Sequence, residues 1–169
     1  MYKAVRRLQV AFALAFALAL PAGASAQEFK EIPLTEKQVE GYINAQKDFA
    51  ARAQTPGGRG DRPDPKSTQE LETIAKRHGF ANFNEYAEVA ANIGIIMAGI
   101  DPKTGSFSEP PVVLKKEIEE ITADNSIPAK EKGQILELLN GALKVAHPIR
   151  QRSNIELVKK YYDRIDAVQ

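Results

Sequence analysis

Residues 82–98 read NFNEYAEVAANIGIIMA. Asn82-x-x-Glu85 is a helix-start signal, in which the first side chain accepts a backbone N–H of the opening turn and the second reaches back. Behind it Phe83, Tyr86, Ala87, Ala90, Ile93 and Met97 recur at three- and four-residue spacing, while Val89, Ile95 and Ile96 spread apolar surface around the other sides. A helix over 83–98 that is apolar on most sides is buried on most sides. It is the expected central helix, with Ile93 and Met97 almost fully buried. Gly94 and the Ala90-Ala91 pair are expected to let a neighbouring helix approach closely.

Similar signals recur on both sides of it. Thr35-x-x-Gln38 is a capping box, and the helix it opens should run to about Gln54 with Val39, Tyr42, Ile43, Phe49, Ala50 and Ala53 on one face. Residues 55–66 hold three prolines and three glycines, so they predict a flexible exposed loop. Ser67-x-x-Glu70 restarts a helix with Leu71, Ile74 and Ala75 inward, closed by a left-handed cap at Gly79. Beyond the turn at 101–105, Pro110-Pro111 starts a helix near Pro111 that carries Leu114, Ile118 and Ile121. Ser126 is expected to cap the next, with Pro128 in its first turn, followed by Ile135, Leu138, Leu139, Ala142, Leu143 and Ala146. Ser153-x-x-Glu156 opens the last, to about Val168, with Val158, Tyr161, Tyr162 and Ile165. Strand signals are almost absent. The expectation is an all-α, single-domain bundle of about six helices over residues 27–169, with a buried central helix and no β-sheet.

The N-terminus has a different grammar. Lys3, Arg6 and Arg7 precede an Ala/Leu/Phe run over 10–20, then Pro21 and Gly23, then Ala24-Ser25-Ala26. This is the charged, apolar and small-residue order of a cleavable export signal, and it predicts removal of residues 1–26. The run is shorter than the roughly 20 residues that a membrane-spanning helix needs. The residues after Arg6-Arg7 fit twin-arginine export poorly, which leaves general secretion. The expected location is periplasmic or secreted, with no stable membrane anchor after cleavage.

Cleavage removes three of the 23 basic residues and no acidic one, so the remaining chain carries 20 Lys/Arg against 22 Asp/Glu, a net charge of −2. A nearly neutral, mixed surface speaks against nucleic acid and anionic lipid as partners, both of which need a basic face. There is no cysteine, hence no disulfide and no thiol nucleophile.

Few residues offer chemistry. His78 and His147 each sit at a predicted helix end, where an imidazolium is favoured by the helix dipole, and capping is the ordinary reading of both. A shared metal or haem site would require them to meet. Asp101, Lys103 and Glu109 lie in a turn whose spacing departs from a calcium loop. Glu117, Glu119, Glu120 and Asp124 are interleaved with lysines, as on a solvated helix surface. Arg59-Gly60-Asp61 falls inside the Gly/Pro-rich loop, whose composition accounts for it. Tyr42, Tyr161 and Tyr162 are aromatic faces with polar tips, suited either to packing or to lining a small-ligand pocket. Nucleophile elbows, phosphate loops and dinucleotide fingerprints are absent, so no catalytic residue, metal or cofactor is expected.

Leu34-Thr35-Glu36-Lys37-Gln38 resembles the LTxxQ motif of the periplasmic chaperones of the Spy and CpxP group, which are small, exported and largely helical. Residues 75–86 are similar to a segment seen in small exported proteins of Gram-negative bacteria. The resemblance implies an exported, non-enzymatic interaction protein, chaperone-like or envelope-associated, with another protein as partner. The alternative is a small-ligand or metal/haem carrier with a pocket between helices, near Tyr42, Tyr161, Tyr162, His78 or His147.

Overall fold

The computed structural model describes residues 29–53 and 65–169. The expected leader and positions 55–64 of the expected loop, with Arg59-Gly60-Asp61, lie outside the described residues. Seven helices follow in order: α1 (Glu36–Ala53), α2 (Pro65–Arg77), α3 (Phe83–Gly99), α4 (Pro110–Ala123), α5 (Ala129–Val145), α6 (Arg152–Lys160) and α7 (Tyr162–Asp166). The fold is all-α, and among the described residues Ile100 and Phe107 form an isolated antiparallel bridge without any strand. No described helix is long and apolar enough to cross a membrane. Contacts group the described chain into two compact units, Phe29–Ile93 with Gln151–Gln169, and Gly94–Arg150.

In the first unit the start signals of α1 and α3 and the stop signal of α2 act as their chemistry requires, whereas α2 begins at Pro65, two residues ahead of the expected start at Ser67. The Gln38 N–H donates to Thr35 Oγ1 at 3.2 Å, and Gln38 Oε1 accepts from the Thr35 N–H at 3.0 Å, closing the capping box of α1. At α3 the Glu85 N–H donates to Asn82 Oδ1 at 2.8 Å, while Glu85 Oε2 accepts from the Ala81 N–H at 2.7 Å. Gln38 Nε2 donates to Glu85 Oε1 at 3.1 Å, so the two capping boxes are joined to each other. Helix α2 ends at Gly79, whose φ of 90° is open to glycine at little cost. There the Phe80 N–H reaches the Ala75 carbonyl and the Gly79 N–H the Lys76 carbonyl, the paired bonds of a Schellman cap.

The inward face of α3 differs from the expected stripe. Tyr86, Val89, Ile93 and Ile96 are buried, whereas Phe83, Ala90 and Met97 are only half-buried. Ile93 is 0% exposed, as expected; Met97 is not almost fully buried. When most sides of a helix are apolar, two stripes one residue apart fit the periodicity equally well, and only the neighbours decide between them. Gly94 is no close-approach point either, since a Cβ there meets nothing within 4 Å. Ala50, expected inward on α1, is exposed.

The expected last helix is two. Tyr161, at φ −101° and ψ 6°, interrupts it between α6 and α7. Ser153 caps nothing, because α6 already begins at Arg152 behind Gln151. Val158, Tyr161 and Ile165 are buried as expected, and Tyr162 is half-buried.

In the second unit α4 and α5 form a helical hairpin. Leu114, Leu139 and Ala142 are its buried centre, with Val113, Ile118, Ile121, Ile135, Leu143 and Ala146 packed against them. Leu138, expected inward, faces solvent instead. Helix α4 starts at Pro110, one residue before the expected start, with Pro110 and Pro111 in positions where a missing N–H costs nothing. Pro128 rather than Ser126 is the N-cap of α5; the Ser126 hydroxyl donates to Asp124 in the preceding turn. Gly99 is required by close approach, because a Cβ there would run into the Ser108 carbonyl oxygen and the Phe107 ring.

Candidate functional site

The most elaborate polar arrangement in the first unit involves residues that periodicity did not single out. Asn92 on α3 and Asn154 on α6 are 2% and 1% exposed. Buried amides persist where their hydrogen bonds are made, and these two make them with the extended stretch ahead of α1. Asn92 Oδ1 accepts from the Ile32 N–H at 3.2 Å, and its Nδ2 donates to the Lys30 carbonyl at 2.9 Å and to the Glu88 carbonyl at 2.8 Å. Asn154 Oδ1 accepts from the Leu34 N–H at 2.8 Å, and its Nδ2 donates to the Ile32 carbonyl at 2.7 Å. Glu31 adds a carboxylate oxygen that accepts from the Gln151 N–H just ahead of α6. Residues 30–34 thus form a strap across the first unit, held chiefly through its backbone.

The expected site residues are distributed differently. Tyr42 is buried on α1, and its ring stacks at 6.0 Å on Tyr86, which also contacts Phe49, Phe80 and Phe83. The Tyr42 hydroxyl accepts from Gln169 Nε2 at 3.3 Å, and the Tyr86 hydroxyl from Gln46 Nε2 at 3.2 Å. Burial pushes both phenols above their ordinary range, Tyr86 the further. Tyr161 is buried and donates to Glu36 at 3.0 Å, with Lys160 and Arg164 each about 5 Å from its ring. Its phenol is raised by burial and then by the Glu36 carboxylate that accepts its proton. These tyrosines are packing elements with satisfied tips.

His78 follows α2, but its ring is turned away from capping and hydrogen-bonds Asp48 Oδ2 at 2.9 Å, beside Arg77, which donates to the same oxygen at 3.0 Å. The His78 hydrogen bond, with Arg77 second, holds the Asp48 carboxyl below the usual range. A lowered carboxylate stabilises the fold above its unfolded value, near pH 4, and loses that contribution as pH falls through its lower folded value. Asp48→Asn is therefore expected to lower the thermal midpoint at pH 6 and to have little further effect near pH 2. Equal losses at both pH values would show that the charge of Asp48 is idle.

His147 belongs to the second unit and lies beyond the C-cap of α5 at Ala146, with Nδ1 3.1 Å from the Pro148 carbonyl oxygen. Among the described residues no three His, Asp or Glu side chains are grouped as metal ligands. Asp101 accepts the Lys103 and Thr104 N–H groups, which lower its carboxyl, and Glu109 accepts the Ile149 N–H at 2.9 Å. Both are spent on turn and chain geometry. Glu117 is half-buried with its carboxyl raised by burial and then by Glu120.

Two open surface grooves complete the picture. One lies along α5 with a volume of about 490 Å³, lined by Gln134, Glu137, Leu138, Gly141, Ala142 and Val145. The other, about 500 Å³, lies beside α1 and α2 and is lined by Asp48, Arg52, Glu70 and Arg77 among others. Arg52 is ion-paired to Glu70 there and donates to Ser67. Neither groove is lined by Tyr42, Tyr161, Tyr162, His78 or His147. No protein-family model matches this chain, and neither a curated protein nor a solved structure matches it.

The sequence carried a signal that these two amides need partners, without naming the strap as the partner. An asparagine set among Ala91 and Ile93, and another beside Ile155, are polar groups on buried faces, and such groups imply a specific partner.

Proposed function

We propose that the protein is an exported, non-enzymatic interaction protein that holds a partner polypeptide against an apolar stripe on α5. The observation that carries this reading is the outward stripe itself. Leu138 is 43% and Val145 69% exposed, on either side of Gly141, which leaves open space between them. Val112 on α4 of the same hairpin is exposed as well. Large aliphatic side chains facing water at helical spacing are the means by which a helix face meets a partner. The charged, apolar and small-residue order of the first 26 residues supports export, and the LTxxQ resemblance supports a chaperone-like role. A small-ligand or metal carrier has no comparable observation behind it, because Tyr42 and Tyr161 direct their polar tips into internal hydrogen bonds.

The test compares aggregation of a chemically unfolded model client with the protein and with its Leu138→Gln/Val145→Gln variant. Polar replacements at exposed positions are expected to change stability by no more than about 0.5 kcal/mol each. The protein should suppress light scattering and the variant should lose most of that effect. A variant that protects as well as the parent removes the stripe from the mechanism.

A further inference from the structure

The strap is held as a peptide ligand is held. In a parallel β ladder one residue accepts the N–H of position i+1 and donates to the carbonyl of position i−1 on its neighbour. The Asn92 amide does this to Ile32 and Lys30, and the Asn154 amide repeats it two residues on, to Leu34 and Ile32. Two side chains from different helices thus stand in for a neighbouring strand, in its two-residue period. None of these four bonds uses a side chain of the strap. Lys30 and Pro33 are exposed, Glu31 and Ile32 are half-buried, and Leu34 is the buried anchor. Pro33 is exposed and has no N–H, so position 33 offers no donor on the opposite edge.

We propose that Asn92 and Asn154 form a binding site for an extended peptide segment with a branched apolar residue at the place of Leu34, and that residues 30–34 are its resident, displaceable occupant. The partner is an unfolded or extended stretch of another polypeptide, because the site reads backbone and one apolar side chain. Residues 30–34 belong to no helix of the unit, so their release requires only local opening ahead of α1 and leaves every helix intact. The site is separate from the α5 stripe and does not depend on it.

The probe is a fluorescent peptide of residues 29–35, offered to the purified protein and to its Leu34→Ala variant. The variant, its own strap loosened, should bind the peptide at least about tenfold more tightly than the parent. Methylating the peptide nitrogens that correspond to Ile32 and Leu34 should weaken binding by about tenfold or more, since each loses an N–H that an asparagine accepts. Equal binding of plain and methylated peptides, or no binding to a variant that circular dichroism shows to be folded, overturns the proposal. Hydrogen exchange in the unaltered protein decides the matter if the variant does not fold. The Ile32 and Leu34 amides should exchange well before those of Ile93 and Val158, and exchange only through global unfolding overturns displacement. A concentration-dependent dimer abolished by Asn154→Ala would assign the site to strap exchange between copies and overturn a foreign partner.

Discussion

Replacing Ile93 by Ala is expected to cost about 2–5 kcal/mol of unfolding free energy, read as a lower urea midpoint with an unchanged slope. Ile93 has no exposed surface and lies on the buried face of α3 with Tyr86, Val89 and Ile96. Deleting three carbons there removes their transfer free energy and leaves a cavity that a close-packed surround closes only in part. Set against a typical total of about 5–15 kcal/mol, such a loss is a large share of the stability. Met97→Ala supplies the comparison. Its side chain is half-buried, so part of the volume it vacates is filled by water, and its cost should be clearly smaller. Equal costs would mean that the stripe through Met97, and not the one through Ile96, is the true core face.

The second large effect is expected at Asn154. Asn154→Ala removes two hydrogen bonds and leaves the Leu34 N–H and the Ile32 carbonyl without their partner. A buried polar group without a partner costs about 1–3 kcal/mol, so a total loss of about 2–4 kcal/mol is expected. Asn154→Asp separates the two bonds. The carboxylate still accepts from Leu34, but it faces the Ile32 carbonyl with a lone pair where a donor is needed, and its charge is nearly excluded from water. This variant should be strongly destabilised at neutral pH and recover in part when acid protonates the carboxyl. Asn140→Ala is the reference, because that exposed amide donates only to a carbonyl of its own helix, and about 0.5 kcal/mol is expected. If Asn154→Ala costs no more than Asn140→Ala, the strap is not docked in solution.

These two positions also mark how far the sequence could be read. Ile93 was legible because the stripe through Met97 and the stripe through Ile96 both include it. Met97 and Ile96 were not distinguishable, since both lie within reach of the same stripe and only the packed neighbours choose between them. Leu138 and Leu139 pose the same problem on α5, where the structure buries Leu139 and exposes Leu138. The candidate tyrosines are visible in the sequence as aromatic groups with polar tips, yet the partners of those tips, Glu36 for Tyr161 and Gln169 for Tyr42, are 125 and 127 residues away. No local pattern names a partner at that distance.

The sequence by itself determined the helical fold class and the helix ends that are made locally. Thr35 with Gln38, Asn82 with Glu85, Gly79 with Phe80, and Pro110 with Pro111 all act within a few residues of themselves, through bonds whose geometry the backbone already supplies. The tertiary structure alone decided that Ser126 and Ser153 would cap no helix, and that the last helix would break at Tyr161. It also decided that His78 would turn to Asp48, and that two asparagines would hold the strap. The physical reason is the same in each case. A local signal competes for one backbone group within its own turn, whereas Asn92 and Asn154 find their strap partners, both N–H donors and carbonyl acceptors, 60 to 122 residues away, where only the packing of α3 and α6 brings an amide to the backbone it reads.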